Sequence, residues 1–156
     1  MRDDLTDVAV RPLRPDDATA VADIHSAACR LAYRFMNWDY PHAEVRQWIE
    51  TERMPAWDWG LVAEVASSPV AYFAMTAKHI DHLFVLPDRQ GCGIGTMLFG
   101  RALDRGLRPL TLNVFEANAP ARRFYERHGF SELDRWFNDG DKAVELRYAL
   151  GAPVTP

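Results

Sequence analysis

Two cysteines, Cys29 and Cys92, are all that 156 residues contain, and they lie far apart. So few exclude a disulfide-stapled scaffold, and neither sits in the spacing of a metal site. Both are read as reduced thiols of a cytoplasmic protein. Long apolar runs are missing too: no stretch reaches the ~18 residues needed to cross a bilayer. The N-terminus, MRDDLTDVAVRPLRPDD, is acidic and lacks the apolar core of a secretion signal. No membrane partner is expected. Positive charge is in short supply, with 18 Lys and Arg against 22 Asp and Glu, a net charge of −4. That balance argues against broad nucleic-acid binding, which neutralises phosphates with Lys and Arg, and it fits a cationic substrate. There is no internal repeat and no low-complexity tract. What is present is ordinary for a globular chain, 48% hydrophobic and 26% charged. Residues 1–150 read as one domain able to bury a real core. Residues 151–156, with two prolines in six positions, read as a frayed tail.

Val8 to Leu13 reads as a first strand. A helix follows from a cap at Asp16 or Asp17, with Ala18, Val21, Ile24 and Ala28 at helical spacing. A second, roughly Pro41 to Glu52, carries Val45, Trp48 and Ile49 on one face. WGLVAEVASSPVAYFAMTA predicts a hairpin turning at Ser67-Ser68-Pro69. HIDHLFVL is a further strand, followed by a glycine segment and a helix from about Ile94 to Arg105 that Gly106 closes. LTLNVF is a strand, Asn118 caps a last helix, Gly129 ends it, and Asn138-Asp139-Gly140 marks a C-terminal hairpin. The order β α α β β β α β α β β predicts an α/β fold with a mixed sheet.

The segment FVLPDRQGCGIGTML places Gly91, Gly93 and Gly95 at the start of a helix. Glycines crowded in this way let backbone approach a ligand, and a helix N-terminus attracts phosphate. A Walker loop needs Lys and then Ser or Thr after its last glycine, but Gly95 is followed by Thr96 and Met97. A dinucleotide loop needs G-x-G-x-x-G, and its spacing is not met. Gln90-Gly91-Cys92-Gly93-Ile94-Gly95 instead matches Q/R-x-x-G-x-G/A. With HLFVLP before it and LNVFEANAPARRFYERHGF after it, the chain resembles the GNAT (GCN5-related N-acetyltransferase) superfamily. Both motifs fall in the expected order, and the element order extends the match to nearly the whole chain.

The resemblance implies a mixed, mostly antiparallel sheet of about six to seven strands flanked by about four helices. It implies acetyl-CoA as acyl donor, no metal, and direct attack by an amine of a small molecule or peptide in a ternary complex. A non-catalytic acyl-CoA sensor of the same fold and a dinucleotide-dependent oxidoreductase are the alternatives, and a homodimer is compatible with the reading. By resemblance the donor contacts Leu83, Phe84 and Val85 of the strand, Gln90, Gly91, Cys92, Gly93, Ile94, Gly95 and Thr96 of the loop, and Asn118 and Tyr125. A lysine-like amine, pKa ~10.4, is neutral in roughly one molecule in two thousand at pH 7, and a base, directly or through water, can remove its proton. His79 and Asp81 are the expected pair. Alternation puts them on one face and His82 on the other, unless a bulge reverses the parity. Tyr125 is expected to donate a hydrogen bond to the leaving thiolate, because full transfer from a phenol is uphill by roughly 2 kcal/mol. Tyr33, Phe35, Trp38, Tyr40 and Trp48 are available to frame an acceptor pocket, with Asp39 and Glu44 as partners for a cation. Arg122 and Arg123 could reach a phosphate, and Cys92 lacks any base that would make it a nucleophile.

Overall fold

This computed structural model describes residues 5–151, so the tail expected at 151–156 lies, apart from Gly151, outside them. Seven strands form one sheet: β1 (Val8–Pro12), β2 (Trp59–Val65), β3 (Ser68–Thr76), β4 (His79–Val85), β5 (Leu110–Phe115), β6 (Ser131–Asn138) and β7 (Ala143–Leu150). Their order across the sheet is β1-β2-β3-β4-β5-β7-β6, and every neighbouring pair is antiparallel except β4 and β5. Four helices flank it: α1 (Ala18–Ala32), α2 (His42–Trp48), α3 (Ile94–Asp104) and α4 (Ala119–Arg127). None of the described helices is long and apolar enough to cross a membrane.

Each face of the sheet has its own core. On α1 the predicted Ala18, Val21, Ile24 and Ala28 are all buried. Val21 and Ile24 pack with Val45, Ile49, Val62 and Tyr72 between the sheet and the first two helices. On the other face, Leu98, Phe99 and Ala102 of α3 and Tyr125 of α4 meet Phe73, Met75, Leu110, Leu112 and Leu146. The 3.6-residue repeat on the helices and the two-residue repeat on the strands give both layers an apolar side to share.

Three local expectations are corrected. The β2–β3 turn consists of Ala66 and Ser67, with φ of 51° and 65°. Two left-handed residues match the twist of a hairpin. Pro69 lies inside β3, opposite Glu64, where the register slips. The β6–β7 connection spans residues 139–142 and is longer than an Asp-Gly turn. The Asn138 side chain closes it by accepting the Asp141 N–H at 2.9 Å. The second helix stops as α-helix at Trp48 and widens into a π turn over Ile49–Arg53. A short turn follows in which Pro55 has no N–H to continue the ladder.

Candidate active site

The site begins where β4 leaves β5. The two strands pair at His79↔Thr111 and Ile80↔Leu112, and no later rung joins them. At the same place the β3–β4 register slips, with Met75 opposite Ile80 and Ala74 opposite His82. Asp81 is therefore an extra residue, a β-bulge, and bulges bend a strand and re-aim its side chains. The strands splay into a wedge of about 100 Å³ lined by Ile80 to Phe84, Leu112 to Phe115, Asn118, Ala121 and Tyr125. Within it, β4 offers backbone. Leu86 N–H bonds Val70 O of β3 at 2.9 Å. By alternation Phe84 also turns its peptide groups to β3, while those of Leu83 and Val85 face the wedge. The Phe84 side chain instead lines the cavities.

A second cavity of about 530 Å³ continues from the wedge past Val85, Gln90, Gly95, Asn118 and Phe124. Gly91 and Gly93 hold φ of 80° and 95°, a region that costs side-chain-bearing residues strain. Met97 N–H makes the first bond of α3, to Gly93 O, and no side chain among the described residues caps that end. The N–H groups of Ile94, Gly95 and Thr96 are thus open to an anion. The Ile94 side chain is buried as the anchor of this turn. Gln90 Nε2 donates to Val85 O at 3.0 Å, tying the loop to the strand. The Cys92 thiol donates to Arg89 O and so is a loop fastener. Asn118 Oδ1 accepts from Ala121 N–H at 3.4 Å, capping α4. Arg122 is committed elsewhere, donating to Tyr148 Oη and Glu116 O, each at 3.0 Å.

On the α1–α2 side the wedge meets a cavity of about 570 Å³. Its aromatic walls are Tyr33, Trp38, Tyr40, Trp48 and Phe115, its acidic groups are Glu44, Asp81, Asp141 and Glu145, and among the described residues no Lys or Arg lines it. Asp81 and His82 line both spaces. Arg53 Nη2 lies 3.3 Å from Asp81 Oδ1, while Asp81 Oδ2 is buried without a partner among the described residues. A buried carboxylate oxygen left bare in this way suits a cationic donor. Tyr125 is 8% exposed among Phe99, Phe124 and Phe130, and burial pushes its phenol up.

A family model for the acetyltransferase (GNAT) family matches residues 22–130. The chain belongs to the GNAT family. The peptidyl-lysine N-acetyltransferase YjaB of Salmonella typhimurium is 32% identical, over 82% of this chain and 86% of that protein. The YjaB of Escherichia coli is 29% identical, over 82% and 85%. The solution structure of apo YjaB from Escherichia coli superposes with a TM-score of 0.75 at 27% identity, over 94% of this chain and 99% of that one. GNAT enzymes are N-acetyltransferases that take the acetyl group from acetyl-CoA, and that assignment holds for this chain.

The chain's own residues fit that donor. Left-handed glycines and an uncapped helix end suit a pyrophosphate, and the wedge turns open strand backbone to an amide-bearing arm. Of the expected GNAT site residues, Asp81, Leu83, Phe84, Val85, Gln90, Gly95, Asn118 and Tyr125 line these spaces. His79 lines none of them; its Nδ1 is 2.8 Å from Thr111 Oγ1 at the closed end of the wedge. Asp39 lines none of them either, whereas Glu44 faces the large cavity. The bulge at Asp81 reverses the strand's parity, so His82 turns to the acceptor side and not away from it. Sequence reading allows for such a bulge but does not place it, because nothing local marks the position. It also misses His25 and Tyr72, and Asp141 and Glu145, which reach the cavity from the far end of the chain.

Proposed function

We propose that this chain acetylates a primary amine that arrives as a cation, of the lysine side-chain type, presented by a peptide or a small molecule and attacking directly in a ternary complex. The observation that carries this reading is the acceptor cavity: four carboxylates, aromatic walls and, among the described residues, no lining Lys or Arg, opening onto the wedge at Asp81. Aromatic faces and carboxylates together favour an alkylammonium group. The relatives named peptidyl-lysine N-acetyltransferases support the same class.

When bound, acetyl-CoA supplies a thioester carbonyl for attack and a thiolate as leaving group. The glycine loop and the first turn of α3 hold anionic charge through the N–H groups of Gly91 to Thr96. The main-chain groups that Leu83 and Val85 turn away from β3 are available to the donor: a carbonyl and an N–H pair with its amides, and another N–H stabilises the oxyanion. Asp81, with one oxygen on Arg53 and the other bare, receives the ammonium. Tyr125 donates a hydrogen bond where negative charge develops. Its raised pKa keeps the phenol protonated, so it acts as a donor and not as a source of a full proton. His79, bonded to Thr111 away from the cavities, holds the strand start.

The test is thiol release from acetyl-CoA with a panel of amines: basic lysine peptides, peptides whose only amine is the N-terminus, free amino acids and polyamines. Lysine-bearing cations should give the highest kcat/KM. Equal turnover of neutral and cationic acceptors, or none with any amine, overturns the reading.

A further inference from the structure

Tyr72, fully buried in β3, bridges two imidazoles. Its Oη lies 2.8 Å from His25 Nδ1 of α1 and 2.9 Å from His82 Nδ1 of β4. Both rings line the acceptor cavity, and neither Nε2 has a hydrogen-bond partner among the described residues. A phenol has one hydrogen to give, and a neutral imidazole has one N–H and one lone pair. Two Nδ1–H donors would leave the Tyr72 hydrogen buried without an acceptor, and two Nδ1 lone pairs would share a single hydrogen. One Nδ1 therefore donates and the other accepts. It follows that the two Nε2 atoms are also unlike: one offers a lone pair to the cavity, the other an N–H. Burial supports the neutral forms this needs, lowering His82 and pushing His25 down to about 4.

We propose that His82 is the base that deprotonates the acceptor amine, through Nε2, and that Tyr72 and His25 are positioning residues that hold it in the Nδ1–H tautomer. The substrate rests on the acyl-transfer reading above; the tautomer pairing does not. A carboxylate beside an ammonium favours the protonated amine, so the group that receives the cation at Asp81 is not the one that takes its proton. His82 is the next residue, turned to the same cavity by the bulge. In this arrangement His82 Nδ1–H donates to Tyr72, Tyr72 donates to His25 Nδ1, and the His82 Nε2 lone pair meets an arriving ammonium N–H. The N–H bond of the ammonium breaks, its proton goes to His82 Nε2, and the electron pair stays on the amine nitrogen that attacks. His82 then loses the proton to water in the cavity. The amine's second proton leaves as the amide forms and balances the departing sulfur as a thiol. The charged groups around the pair are Asp81 on β4, Arg53 after α2, Glu44 on α2, Asp141 in the last hairpin loop and Glu145 on β7; α1 contributes His25 itself.

Two measurements test this. With acetyl-CoA and a basic lysine peptide, wild-type kcat/KM should be flat between about pH 7 and 9, because His82 takes the proton from the predominant ammonium form. His82→Gln should lose about 10²–10³-fold at pH 7 with an unchanged KM for acetyl-CoA. Its activity should rise tenfold per pH unit, since only amine already neutral in solution reacts. Tyr72→Phe should lose less and show an intermediate slope. A His82→Gln profile parallel to wild type overturns the base, while a wild-type protein that acetylates no amine overturns the acyl-transfer reading instead. Long-range ¹H–¹⁵N correlation spectra of the labelled protein test the pairing without any substrate. They should show His25 and His82 in opposite tautomers, and a mixture for His82 in Tyr72→Phe. Two like tautomers in the wild type overturn the proposal.

Discussion

Tyr125 shows how one side chain's surroundings decide which chemistry it can do. Its ring is packed edge-on against Phe99, Phe124 and Phe130, and nothing charged offsets the loss of water that raises its pKa. A phenol so placed gives a hydrogen bond to developing negative charge and keeps its proton. A hydrogen bond to a charged partner contributes about 1.5–3 kcal/mol. Tyr125→Phe should therefore lower kcat roughly ten- to a hundredfold while leaving the KM for acetyl-CoA unchanged, read from steady-state thiol release. The wild-type rate should also show no decline attributable to this phenol up to about pH 10, because the group is raised and not lowered. A Tyr125→Phe enzyme with normal kcat would return the residue to a purely packing role. Asn118, by contrast, holds two duties: it caps α4 and it lines the wedge.

At the scale of elements, α3 separates a glycine that the backbone requires from one that it does not. Gly93 sits at φ 95°, and a Cβ there would come within 3.2 Å of Leu5 Cδ1. Gly100, inside α3, would have nothing within 4 Å of its Cβ. Gly93→Ala should cost about 1–2 kcal/mol for the left-handed conformation, lowering Tm by several degrees, and should raise the KM for acetyl-CoA by distorting the loop. Gly100→Ala should gain about 0.5–1 kcal/mol and leave both KM values alone. Thermal melts and donor titrations on the two variants give the comparison; equal effects would remove the loop from donor binding. The loop was legible in the sequence because its spacing is local, and so were the strands that alternate and the helices that repeat. The bulge was not. Asp81 is extra only relative to β3, a strand whose register is set by packing on both faces, and reading β4 alone therefore puts His82 on the wrong side. The same holds for the Ala66-Ser67 turn: neither residue announces a positive φ, and the nearby Pro69 suggested a different corner.

For the whole molecule, the sequence carried the element order and hence the mixed sheet, but not which distant pieces share a cavity. Asp141 and Glu145 stand about a hundred positions from Glu44 in the chain, yet β7, by inserting between β5 and β6, brings them to one acidic wall. That wall gives the two substrates opposite electrostatics. The proposed acceptor is a cation drawn to a cavity lined by four carboxylates, whereas acetyl-CoA is a polyanion approaching a chain of net charge −4. Screening at 0.1 M salt already acts within about 10 Å, so added salt should weaken the steering of the first and relieve the repulsion of the second. Raising ionic strength from about 0.05 to 0.5 M should lower kcat/KM for a basic lysine peptide severalfold, while the KM for acetyl-CoA stays level or falls. A peptide lengthened by neutral residues should behave like its parent, and one whose flanking basic residues are replaced by acidic ones should be a poorer acceptor that salt improves. If kcat/KM for the basic peptide is indifferent to salt, the carboxylates do not recognise charge, and the acceptor is held by the aromatic walls alone.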